Sequence, residues 1–220
     1  MSLTQRPFDN LEFARNPENR VACVLLLDTS YSMSGKKLAQ LNAGIDLFAQ
    51  AVRSDELAAK RCDVAIISFG PVSLEQDFCS VDEMQPSKLR AHGGTPMGAA
   101  VLEAIDVVEN RKSHYKQAGI PYYRPWIFMI TDGEPTDSIT QAQEAIKQGE
   151  KDRKFSFFAV GVDQADLTVL QSLSVKDPVH LRGMAFEEMF RWLSASMIAV
   201  SESQPGEEIT LKNPSGWATY

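Results

Sequence analysis

Three short stretches of the sequence place oxygen-bearing side chains where loops would meet. Asp28-Thr29-Ser30-Tyr31-Ser32 follows a solid apolar run, Val21 to Leu27, and alternates a carboxylate with two hydroxyls. Gly93-Gly94-Thr95-Pro96 and Thr131-Asp132-Gly133-Glu134-Pro135 each add one more oxygen at the end of a strand or the start of a helix. Alternate residues of the first loop can turn three oxygens to one side. Carboxylates and hydroxyls without thiolate or imidazole suit a hard cation, Mg2+ or Mn2+ before Zn2+. The spacing D-x-S-x-S alone is short, and its residues could equally cap the next helix. Three such loops in this order make a specific signal.

The elements that must hold these loops follow from hydrophobic periodicity. Unbroken apolar runs at Val21–Leu27 and Trp126–Ile130, and largely apolar ones at Asp63–Phe69 and Phe155–Val162, read as buried central strands. Between them, helical stripes recur at three- and four-residue steps: Leu38, Leu41, Ile45, Phe48 and Val52; Met97, Val101, Ala104, Ile105 and Val108; Ile139, Ala142, Ala145 and Ile146. Phe186, Met189, Phe190, Leu193, Met197 and Val200 form the last stripe, after a short helix over Asp166–Leu173 and a short edge strand, Val179–Leu181. Ser73–Phe78 alternates after the turn at Gly70-Pro71 and pairs most economically as an antiparallel edge strand. His114 to Arg124 reads as the connection back to the sheet. The alternation predicts one α/β domain with a Rossmann-like, open, mostly parallel sheet, one antiparallel edge strand and helices on both faces. Residues 1–19 form an N-terminal arm, 20–202 the body, and 203–220 a tail without periodicity. Asp28 then sits at the carboxyl end of a central strand, where open sheets of this kind place their ligands.

With these residues in place the chain resembles the von Willebrand factor type A domains, over roughly residues 20 to 200. The family's metal-ion-dependent adhesion site pairs D-x-S-x-S with a later threonine and a later aspartate. Asp28, Ser30, Ser32, Thr95 and Asp132 match it without a gap. The resemblance implies Mg2+ or Mn2+ held directly by the three hydroxyls, with both aspartates one water away. It also implies an open position that an Asp or Glu carboxylate of a partner protein would fill. Within the family the chain looks most like stand-alone bacterial members associated with tellurium resistance, which implies a stress-response complex.

The totals narrow the field. The 220 residues are 44% apolar, with 22 basic and 29 acidic side chains and a net charge of −7. An acidic balance argues against nucleic acid, which needs a clustered basic surface. Lys36-Lys37 and Arg111-Lys112 are too small for one and read as solvated helix ends. Cys23, Cys62 and Cys79 form no C-x-x-C pair, so a disulfide framework is not expected. The opening residues lack a charged and then apolar leader, and no apolar run nears the roughly 18 residues of a membrane span. A soluble, cytoplasmic protein is expected, and its oligomeric state is left open. The rival reading is a Mg2+-dependent phosphoryl-transfer enzyme using Asp28 as nucleophile. Its haloacid-dehalogenase-type form wants a second aspartate where Ser30 stands, and no general acid or base is evident. Neither a phosphate-binding G-x-x-x-x-G-K-[ST] loop nor a G-x-S-x-G elbow occurs. Tyr31 is the expected exposed contact, while His92 and Glu134 read as loop residues.

Overall fold

The computed structural model describes residues 9–207, 211 and 213–219. The first eight residues of the expected arm, and residues 208–210, 212 and 220 of the expected tail, lie outside them. Among the described residues seven strands form one sheet in the order β3-β2-β1-β4-β5-β6-β7. Strands β1 (Val21–Asp28), β2 (Cys62–Phe69), β4 (Trp126–Thr131), β5 (Ser156–Gly161) and β6 (Val179–Leu181) run parallel. β3 (Val72–Ser80) and β7 (Ala218–Thr219) close the two edges antiparallel.

All eight residues of β1 are buried because both faces of the strand are covered. Val21, Cys23, Leu25 and Leu27 face one apolar core and Ala22, Val24 and Leu26 the other, the two-residue period of a strand. The first core is closed by α2 (Lys36–Arg53), α3 (Glu56–Arg61) and α7 (Phe186–Glu202). The second is closed by α1 (Asp9–Arg15), α4 (Met97–Ala118), α5 (Thr140–Lys151) and α6 (Leu167–Leu173). From β1 the chain goes to β2 on one side and reaches β4 on the other, so the strand order switches at β1. The carboxyl ends of β1 and β4 flank that switch, and Asp28 and Thr131 end those strands. In a sheet of this type the crevice there is the ligand position.

Several expectations need correcting. The connection expected from His114 is the last turn of α4, which runs to Ala118 and ends at Gly119 in the left-handed conformation (φ 68). The stripe was hidden because Arg111 and Tyr115 continue it after Val108, and both are buried. They reach Asp63, itself fully buried: Tyr115 donates its hydroxyl to Asp63 Oδ2 at 2.5 Å and Arg111 Nη2 donates at 2.6 Å. Phe13 of α1 lies edge-on to Tyr115 at 5.7 Å, which seats the expected arm on the body. A second antiparallel edge arises where the tail brings Ala218 beside Leu181, with Trp217 buried next to it. Strand β6 is therefore not an edge, and a two-residue strand has no period to read. α3 was missed because its six residues are too few to show a helical stripe; Asp55 caps it, its carboxylate accepting from the Leu57 and Ala58 N–H groups. Among the described residues no helix is long and apolar enough to cross a membrane, and all three cysteines are free thiols.

Candidate metal centre

The chain leaves β1 at Asp28 and turns at once. Asp28 is fully buried, and both carboxylate oxygens are engaged: Oδ1 accepts from the Ser30 N–H at 2.8 Å and Oδ2 from the Thr131 hydroxyl at 2.5 Å. A single 3-10 turn over Tyr31–Met33 follows, anchored by buried Met33. Ser32 donates its hydroxyl to Asp132 Oδ1 at 2.6 Å, so the 2.8 Å bond between Ser30 and Ser32 must be donated by Ser30. Both protons are thereby directed along the loop, and the remaining lone pairs of Ser30 and Ser32 are left for another partner.

The threonine loop is fixed by backbone contacts. His92 N–H donates to Thr29 O at 2.8 Å, and Tyr31 N–H donates to Gly93 O at 3.2 Å. Gly93 has φ 73, and a methyl on it would stand 1.5 Å from the Gly70 carbonyl oxygen. Only glycine permits this approach of the two loops. Thr95 is almost fully buried. It is clasped by Thr136, whose hydroxyl accepts from Thr95 N–H at 3.1 Å and whose own N–H donates to Thr95 O at 2.9 Å.

At Gly133 the three loops converge. A methyl placed there would stand 3.1 Å from Thr95 Oγ1 and 3.7 Å from both Asp28 Oδ2 and Ser32 Oγ. Three oxygens from two loops thus border one small space that the glycine of the third leaves open. Ser30 and Asp132 join it through their bonds to Ser32. All five residues expected from the sequence lie in this one cluster.

The donor set fits a hard dication. It offers three hydroxyls and two carboxylates, with no sulfur or nitrogen ligand. Among the described residues no group of three or more His, Cys, Asp or Glu side chains is placed to hold a metal. Burial raises the Asp28 carboxyl above its ordinary range and the nearby Asp132 charge adds to this, against hydrogen bonds from Ser30 and Thr131 that pull it down. A buried carboxylate held in that balance favours a nearby positive charge.

One positive charge is built in, and the sequence reading misplaced it. Lys37 is no solvated helix end: its ammonium pairs with Asp132 Oδ2 and, at 3.3 Å, with Asp163 Oδ2. Partial burial works to lower this ammonium's pKa, but the two carboxylates outweigh it and hold it above the ordinary lysine value. A signal was available, because Lys37 sits in the first turn of α2, where a cation opposes the helix dipole. A lysine there calls for carboxylates facing it. Thr131 was also missed, although it adjoins Asp132. Of the loop residues, Tyr31 is 69% exposed beside the cluster, and His92 and Glu134 are exposed.

The sequence profile of the von Willebrand factor type A domain matches residues 23–188. No curated protein is similar enough in sequence to count as a relative. Among solved structures, the fold is similar to the pilus adhesin SpaC from Lactobacillus rhamnosus GG in its open conformation. The TM-score is 0.64 at 14% identity, over 82% of this chain and 30% of that one. Proximal thread matrix protein 1 from the mussel byssus gives 0.58 at 18% identity, over 82% of this chain and 48% of that one. This chain therefore spans less than half the length of either. The SpRpn10 VWA domain gives 0.53 at 12% identity, over 77% of this chain and 95% of that one. At these identities the likeness is one of fold.

Proposed function

The chain belongs to the von Willebrand factor type A domain family, and from that premise we propose that it binds a partner protein's carboxylate through a divalent cation. Domains of this family are commonly protein-interaction modules. The observation that carries the finer reading is the convergence of Thr95 Oγ1, Asp28 Oδ2 and Ser32 Oγ around the gap at Gly133. Ser30, Ser32 and Thr95 would hold Mg2+ or Mn2+ with neutral oxygens, while Asp28 and Asp132 flank it. The ion would supply a Lewis-acidic seat for an Asp or Glu side chain. Exposed Tyr31 and Ser32 border that seat, and tyrosine suits the rim of a contact.

The phosphoryl-transfer alternative gains no support from the geometry. Asp28 is fully buried with both oxygens accepting hydrogen bonds, an arrangement that orients a carboxylate rather than presenting a nucleophile. The resemblance to stand-alone bacterial members extends the proposal to a cytoplasmic stress-response complex of the tellurium-resistance kind. The three free thiols are in keeping with a reducing compartment.

The test is affinity capture with Mg2+ and again with chelator, using wild type and Thr95→Ala. The proposal expects a partner retained only with metal and an intact Thr95, while the variant melts within a few degrees of wild type. Retention that ignores both chelator and variant would place the interaction elsewhere on the chain.

A further inference from the structure

Asp132 is held from both sides. Ser32 donates to Oδ1 at 2.6 Å and Lys37 pairs with Oδ2, and the Asp132 side chain is only 1% exposed. Lys37 is in turn steadied by Asp163 at 3.3 Å. Asp163 sits in the left-handed region (φ 54), a conformation uncommon for a residue with a side chain. Its carbonyl oxygen lies 2.7 Å from His180 Nε2, and the preceding Val162 N–H donates to Thr131 O at 2.9 Å. The loop after β5 is thus pinned where it brings Asp163 to Lys37.

An ion seated among Ser30, Ser32 and Thr95 would compete for Asp132 with the Ser32 donor on Oδ1 and, in drawing the carboxylate inward, with the Lys37 ammonium on Oδ2. We infer that Lys37 is the positioning residue that keeps Asp132 from binding the ion at contact distance, and so sets how strongly the site seeks an outside carboxylate. This rests on the metal reading above. A directly bound carboxylate would neutralise part of the ion's charge and satisfy it internally. With Asp132 held back by an ammonium, the ion keeps its charge for a partner. Metal affinity and carboxylate affinity therefore move in opposite directions when Lys37 is lost.

The test uses the full chain with Mn2+ alone, followed by electron paramagnetic resonance, and then acetate, followed by water-proton relaxation as it displaces metal-bound water. Lys37→Met should bind Mn2+ about tenfold more tightly, the scale of an outer-shell change, and respond less to acetate. Lys37→Arg, which keeps the charge and the pairing, should behave as wild type. Lys36→Met removes the same charge from the exposed neighbouring position and should shift Mn2+ binding by less than about twofold. Lys37→Gln carries the same expectation as Lys37→Met if the methionine variant does not fold. Folded Lys37 variants that bind Mn2+ no more tightly than wild type, or a Lys36→Met that matches them, would overturn the inference. Wild-type protein that binds no Mn2+ would overturn the metal reading itself, and the inference with it.

Discussion

Gly133→Ala isolates the site from the fold. The added methyl would stand 3.1 Å from Thr95 Oγ1, tighter than ordinary contact, and 3.7 Å from Asp28 Oδ2 and Ser32 Oγ. Relief requires Thr95 to give by a few tenths of an ångström, but its backbone is clasped by Thr136 on both sides. Gly133 is not in the left-handed region, so alanine meets no backbone penalty and restricts the unfolded chain, an effect of about 0.4–1 kcal/mol in favour of folding. That gain and the close contact oppose each other, so the melting temperature should move by only a few degrees. Metal binding should fall about 10- to 100-fold, because the methyl occupies the space the oxygens border. Mn2+ titration beside a thermal melt checks both at once. Undiminished Mn2+ binding by a folded Gly133→Ala protein would refute the placement of the ion. Collapse of the fold would refute the separation of site from core.

The other predictions concern the body. Asp63→Ala should destabilise the protein by about 3–5 kcal/mol in chemical denaturation, since it strips Arg111 and Tyr115 of a buried acceptor. Mn2+ affinity of the folded fraction should not change, because Asp63 lies at the amino end of β2, away from the loops. Cys79 is half-buried, and burial pushes its thiol up to about 11. At pH 8 it should react with iodoacetamide about a hundredfold more slowly than a free thiol and speed up as pH rises toward that value. Fully buried Cys23 and Cys62 should stay unmodified until the protein unfolds, which mass spectrometry of native and denatured samples checks.

The strands were legible because a parallel sheet covered on both faces demands unbroken apolar runs, and Val21–Leu27 and Trp126–Ile130 are such runs. Their carboxyl ends put Asp28 and Asp132 in neighbouring loops, and the spacing of the three oxygen-bearing stretches then singled them out. What escaped has physical reasons. The inward stripe of α4 continues through Arg111 and Tyr115, whose burial depends on Asp63, a residue 48 positions from Arg111 in sequence. β7 has two residues and gains its place from pairing with β6. Lys37 offers only its place in the first turn of α2 as a signal, and its partners Asp132 and Asp163 emerge when α2 is laid against the loops after β4 and β5. Polar residues buried by distant partners leave no periodic trace.

The most direct test of the account is a crystal of this chain grown with Mn2+ and read by anomalous scattering. The account predicts one peak bonded to the hydroxyls of Ser30, Ser32 and Thr95, with Asp28 and Asp132 reached through water. A peak bonded directly to both aspartates, or none among these loops at saturating Mn2+, would contradict it.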